Sequence, residues 1–187
     1  WPGPLTIVVP KKKSVPLAAC GGFETIAIRM PNHPIALSLL DAVGGPLSAP
    51  SANPSGYISP TTAVHVEQSF GGGVSVLDGG PCDYGIESTV ISLVDVPTIL
   101  RPGSISLSSL VDLLPETKLT EPSFQTESPG TANAHYAPHT KTTLVDSESV
   151  GAIQNPDVIA ITIEGTPRIT KQVFVMPNCP IQYASKL

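Results

Sequence analysis

The sequence predicts an α/β fold, and three observations carry that prediction. Short β-branched runs alternate with stretches that have helix caps at both ends, the pattern of mixed α/β domains. Pro (21) and Gly (16) make up about a fifth of the 187 residues, against roughly 12% in average usage. So dense a set of turn residues excludes a helical bundle or coiled coil. Hydrophobic residues are 41% of the chain and mean hydropathy is +0.18, which is enough to build a core and excludes disorder driven by low hydrophobicity.

Leu5 to Val9 and Thr25 to Met30 are β-branched runs bounded by Pro and Gly, the signature of strands, with a turn-rich connection between them. Asn32 is a candidate N-cap for a helix carrying Ile35, Leu37, Leu39, Leu40 and Val43 and ended by Gly44-Gly45. A short strand is expected over Pro46 to Ala49. Ser59, with Pro60 at the first helical position, predicts a second helix that stops at Gly71-Gly72-Gly73. Residues 74–78, 88–94 and 98–101 read as strands, and Ser106 caps a third helix. Residues 1–114 thus form one domain. Residues 115–140, rich in Pro, Ser and Thr and without apolar periodicity, read as a linker. Segments TTLVD, DVIAITI and VFVMP then open a second, smaller α/β domain over 141–187. The chain starts with Trp1 rather than Met and stops at Leu187 in a nascent element, so both ends look cut.

Composition also narrows the function. Ten basic against fifteen acidic residues give a formal net charge of −5, which opposes binding of nucleic acid through phosphate neutralisation. No apolar run approaches a membrane span, and no signal peptide is visible. Three cysteines, far apart and without a CxxC, form neither a disulfide framework nor a zinc site, which suits a reducing cytoplasm. There is no GxxxxGK[ST] loop, GxGxxG or GxSxG elbow. His135 and His139 are four apart, but Pro138 opposes a continuous helix there; His33 and His65 suit surface or capping roles. No His/Ser/Asp constellation can be assembled. Neither a catalytic nucleophile nor a metal-ligand set is predicted.

The stretch Ser48-Ala49-Pro50-Ser51-Ala52-Asn53-Pro54-Ser55-Gly56, running on to Ser59-Pro60-Thr61, stands out. Small side chains let a ligand approach the backbone, and the hydroxyls of Ser51 and Ser59, the Asn53 amide and free N–H groups suit phosphate oxygens. The same stretch also reads as a polar turn with two prolines. Alternation places Thr25, Ala27 and Arg29 on one face, where Arg29 could take a carboxylate bidentately or stand in solvent. Arg101 and Ser88 are ambiguous alone, and Tyr136 is an odd aromatic within a loose strip. The residues by themselves indicate a phosphate- or carboxylate-binding α/β domain.

Taken in order, WPGPLT, TIAIRMPNHP, LSAPSANPSG, SPTTAVHV, LDGG, ESTV, LRPG and SPG…HYAP closely resemble the Sua5/YrdC family of threonylcarbamoyl-AMP synthases, from residue 1 to about 140. HYAP after a linker resembles the two-domain Sua5 type. The resemblance implies a twisted α/β sheet with an open pocket, followed by part of a Rossmann-like C-terminal domain. The reaction it implies joins L-threonine, bicarbonate and ATP into threonylcarbamoyl-AMP and pyrophosphate, with Mg²⁺ accompanying ATP. The product would pass to a tRNA threonylcarbamoyl transferase complex for N6-threonylcarbamoyladenosine formation in the cytoplasm. By motif, Thr25, Ser51, Asn53, Ser59, Arg101 and Tyr136 would bind ATP, and Arg29, Ala49 and Ser88 would bind L-threonine. The family also carries a Lys-x-Arg stretch ahead of WPGPLT that this sequence lacks, so the chain alone is expected to be inactive. A non-catalytic RNA-binding module of the same type, with weak tRNA or double-stranded RNA binding, is the alternative; the net charge opposes it.

Overall fold

The structure, a computed structural model, describes residues 1–119, 140–145, 157–163 and 172–176. The chain divides into two compact units, one of Trp1–Pro81 with Ile86–Ala137, the other of Cys82–Gly85 with Pro138–Leu187.

The first unit is built on a five-stranded mixed sheet of β1 (Leu5–Pro10), β2 (Thr25–Ile28), β3 (Thr89–Ser92), β4 (Thr98–Arg101) and β5 (Lys118–Leu119), in the order β2-β1-β3-β4-β5. β1 runs antiparallel to β2 and parallel to β3. β2 returns the chain to the end of the sheet where β1 begins, and a long connection over residues 29–88 leads from there into β3. That connection holds α1 (Pro34–Val43) and α2 (Ala63–Phe70). β3 pairs antiparallel with β4, with a register shift between Val90 and Ile91. Beyond β4, α3 (Leu107–Val111) sends Leu110 into the core, where it meets Ile91 and Ile99; Leu5, Ile7, Leu93, Ile105 and Leu114 surround them.

Both long helices end as the sequence predicts, on glycine in the left-handed region. At Gly44 (φ 70°) the amide closes α1 onto the Leu40 and Asp41 carbonyls. Their starts differ from expectation. α1 begins one residue late, with His33 at the N-cap position and Pro34 at the first helical position. Its ring makes no cap and instead bonds the Gly79 carbonyl at 3.1 Å. α2 begins at Ala63 and is capped by Thr62, not Ser59: Thr62 Oγ1 accepts from the His65 amide at 3.3 Å, and His65 Nδ1 accepts from the Thr61 amide at 3.4 Å. That is a reciprocal cap of the capping-box kind. Ser59 cannot serve because its hydroxyl is drawn to Glu87.

The strands expected over 46–49 and 74–78 do not form. A strand exists only as a hydrogen-bonded ladder, and neither segment has a partner strand among the described residues. Nor is 141–145 a strand. Conversely Lys118–Leu119, inside the stretch expected as linker, extends the sheet beside Thr98 and Ile99. The second unit contributes β6 (Ile159–Ile163) and β7 (Gln172–Met176), paired in parallel over five residues.

Candidate functional site

The N-terminal ends of β1 and β3 meet the C-terminal ends of β2 and β4 at one end of the sheet, and most of the singled-out polar residues gather there. Register places Ile7 opposite Ile28, so one step further brings Arg29 beside Thr6. The Gly3 amide donates to the Met30 carbonyl at 2.9 Å, and Arg29 Nε donates to the Gly3 carbonyl at 3.0 Å. That bond fixes the plane of the guanidinium at the sheet edge.

On the other side of β1, Thr6 Oγ1 and Ser88 Oγ share a hydrogen bond of 2.7 Å. Ser88 is 6% exposed and is gripped from β4: Arg101 donates from Nε (3.2 Å) and Nη2 (2.9 Å) to its carbonyl, and from Nη2 (3.2 Å) to its hydroxyl. The planar fork of arginine suits this two-point hold on one residue. Thr89, fully buried, locks the next position by exchanging bonds with the Ile105 carbonyl (2.8 Å) and amide (3.0 Å). Arg29, Thr6, Ser88 and Arg101 therefore form a polar row across β2, β1, β3 and β4.

The small-residue loop is organised around Asn53, which is nine-tenths buried. Its Nδ2 donates to the Pro54 carbonyl at 3.0 Å and the Tyr57 carbonyl at 2.9 Å, using both amide protons. What it presents beyond the loop is its carbonyl oxygen, an acceptor. Ser59 Oγ lies 3.5 Å from that oxygen and donates to Glu87 Oε1. A phosphate oxygen, itself an acceptor, is poorly matched to Asn53 Oδ1, whereas a hard cation is well matched. Ser51 and Ala49 are exposed on the same loop.

Thr25 stands apart. It pairs with Pro10 at the opposite end of β1, four residues and about 13 Å along the strand from Arg29. There it lines a cleft of about 280 Å³ with Val8, Phe23, Glu24, Ser92, Val94 and Asp95. Tyr136 lies outside the described residues. Among the described residues no group of three or more His, Cys, Asp or Glu side chains could hold a metal ion.

Three contributors to this end of the sheet escape sequence reasoning. Thr6 lies within WPGPLT and Glu87 within ESTV, so both motifs were visible while their pairings with Ser88 and Ser59, across 82 and 28 residues, were not. Gly103, in LRPG, is the third: its backbone abuts residues 87–89 so closely that a Cβ would sit 2.5 Å from the Glu87 carbonyl oxygen.

The family model Sua5_yciO_yrdC, described as telomere recombination, matches residues 1–103. The chain is 43% identical over 154 residues to the threonylcarbamoyl-AMP synthase of Pyrococcus abyssi, covering 78% of this chain and 45% of that protein. The Bacillus subtilis enzyme of the same name is 42% identical over 145 residues, covering 74% and 42%. The chain spans less than half the length of these relatives. Among solved structures, that of P. abyssi Sua5 complexed with L-threonine superposes with a TM-score of 0.84 at 34% identity, covering 100% of this chain and 60% of the other. With the mixed sheet, the order of its motifs and the family model matched over residues 1–103 in agreement, this chain belongs to the Sua5/YrdC family.

Proposed function

We propose that the chain carries the substrate-binding machinery of an L-threonylcarbamoyladenylate synthase, which turns L-threonine, bicarbonate and ATP into threonylcarbamoyl-AMP and pyrophosphate. The observation that supports this most is the polar row of Arg29, Thr6, Ser88 and Arg101 at one end of a sheet that superposes on a threonine-bound relative. In this reading Arg29, its plane set by Gly3, takes the threonine carboxylate, with Ala49 and Ser88 lining the amino acid. Ser51, Asn53, Ser59 and Arg101 serve the nucleotide, and Tyr136 closes over it. Thr25 lies far enough along β2 that only an extended ligand reaches both it and Arg29.

The chemistry asks little of a nucleophilic side chain. A carbamate formed on the threonine amine can attack the α-phosphorus itself, so the protein's work is to align the reactants and neutralise developing charge. Mg²⁺ fits the oxygen donors at the loop: Asn53 Oδ1 and Ser59 Oγ would hold it beside the Glu87 carboxylate, with phosphate oxygens and water completing its shell. When bound it would neutralise polyphosphate charge. The product would go to a tRNA threonylcarbamoyl transferase complex in the cytoplasm; among the described residues no helix is long and apolar enough to cross a membrane. The parallel pairing of β6 and β7 supports reading residues 141–187 as the start of a Rossmann-like domain.

Calorimetric titration of L-threonine into the chain tests the amino-acid half of this reading. Saturable binding that weakens about tenfold or more in Arg29→Ala is expected, the size of a lost charge-assisted pair. No binding by the folded chain, or binding indifferent to Arg29, contradicts it.

A further inference from the structure

Glu87 has no part in substrate contact as described above, yet its carboxylate ties the small-residue loop to the sheet. The loop between α1 and α2 has no regular structure from Pro46 to Thr62. Its internal order comes from Asn53, through the Pro54 and Tyr57 carbonyls, and from the Tyr57 amide on the Pro54 carbonyl at 3.2 Å. These bonds lie within the loop. Ser59 Oγ carries a bond out of it, donating across 28 residues of sequence to Glu87 Oε1. Glu87 in turn sits beside backbone held from three sides. Arg101 holds the carbonyl of the next residue, the Thr89 amide donates to the Pro4 carbonyl at 3.1 Å, and Gly103 backs the segment.

Proton accounting sharpens its role. A serine hydroxyl has a single proton. Given to Glu87, it leaves Ser59 Oγ, 3.5 Å from Asn53 Oδ1, with no proton for that oxygen, so both atoms keep lone pairs for a ligand. Without the carboxylate, Ser59 would turn its proton onto Asn53 Oδ1 and cap the acceptor the loop presents.

We propose that Glu87 is the positioning residue of the 48–59 loop: by taking the Ser59 proton it anchors the loop to β3 and keeps Asn53 Oδ1 and Ser59 Oγ open as acceptors. The consequence for nucleotide binding rests on the reading under Proposed function; the anchoring does not. Two measurements on the full chain keep them separable. The first is exchange of the Asn53 side-chain amide and Tyr57 backbone amide protons by NMR. Glu87→Ala is expected to speed both about tenfold, the effect of losing one bond to a charged acceptor, while Glu87→Gln, which keeps an acceptor oxygen, restores protection. Unchanged exchange in Glu87→Ala overturns the anchor, whatever the nucleotide does. The second is Mg²⁺-ATP affinity in Glu87→Ala, Ser59→Ala and the double variant. Because the two residues act as one unit, the double variant should bind no worse than either single one, about tenfold below the parent, with L-threonine affinity unchanged. Additive losses, or equal loss of threonine affinity, overturn the positioning role. A parent chain that binds no nucleotide, with Glu87-dependent amide protection intact, refutes the nucleotide reading and upholds the anchor.

Discussion

Gly103 offers the sharpest test of how the site is supported, because its neighbours are backbone and cannot turn aside. A Cβ at this position would lie 2.5 Å from the Glu87 carbonyl oxygen and 2.6 Å from the Ser88 carbonyl carbon, where ordinary contact begins at 3.4 Å. Accommodating it means moving one segment by nearly an ångström. The segment at risk holds Ser88 and Thr89, 6% and 0% exposed, whose bonds include the one accepted from Arg101 and those Thr89 donates to the Ile105 and Pro4 carbonyls. Overpacking of this kind costs roughly 1–3 kcal/mol, and each strained hydrogen bond adds about 1 kcal/mol. Gly103→Ala is therefore expected to lose about 3 kcal/mol, two powers of ten in the folding equilibrium. Gly45→Ala is the matched control: nothing stands within 4 Å of its Cβ, and its backbone lies outside the left-handed region. That substitution should be neutral or slightly stabilising, by about 0.4–1 kcal/mol. Urea unfolding followed by far-ultraviolet circular dichroism reads both. If Gly103→Ala unfolds at the same urea concentration as Gly45→Ala, the close approach of LRPG to ESTV is not a structural constraint and the support of Ser88 must be sought elsewhere.

Four further outcomes are expected. Ile91→Ala, at 1% exposure the centre of the core cluster, should lose about 2–5 kcal/mol, seen as a lowered urea midpoint with unchanged slope. Thr62→Ala should cost about 1 kcal/mol through loss of the α2 cap, while Ser59→Ala leaves α2 helicity untouched; reversed results would return the cap to Ser59. Arg101→Lys replaces a fork that reaches both the carbonyl and hydroxyl of Ser88 with a single ammonium, and should cost about 1–2 kcal/mol in the same unfolding assay. Chelating Mg²⁺ should weaken ATP binding in calorimetry and leave L-threonine binding as it was, since the oxygen donors gather on the loop and not at Arg29.

What the sequence makes legible is what local chemistry decides. β1 and β2 follow from β-branched runs ended by Pro and Gly, and Ser106 caps α3 through the Ser109 amide at 3.2 Å as its position implies. The ends of α1 and α2 follow from glycines whose left-handed backbone nothing else tolerates as well. Misreadings arise where a distant group wins. Ser59 has the identity of an N-cap, but a carboxylate 28 residues away competes for its hydroxyl and Thr62 takes the helix. Residues 46–49 and 74–78 have strand composition, and composition is silent on whether a partner strand is present. At the site, Arg29, Ser88 and Arg101 were legible as residues, while the Thr6–Ser88 bond and the placing of Arg29 beside Thr6 depend on a register that no single segment encodes. Glu87 was hidden in plain sight: one carboxylate in a polar loop has no periodicity to betray it.

The most direct test of the central proposal is pyrophosphate release from ATP, measured with and without L-threonine and bicarbonate. It should be run on this chain and on a longer form of the length of the relatives it matches. The proposal predicts release that requires both co-substrates in the longer form and is lost in Arg29→Ala. Release that ignores threonine and bicarbonate, or none from a folded protein that binds ATP, would contradict it and leave the polar row at the end of the sheet with a different ligand to serve.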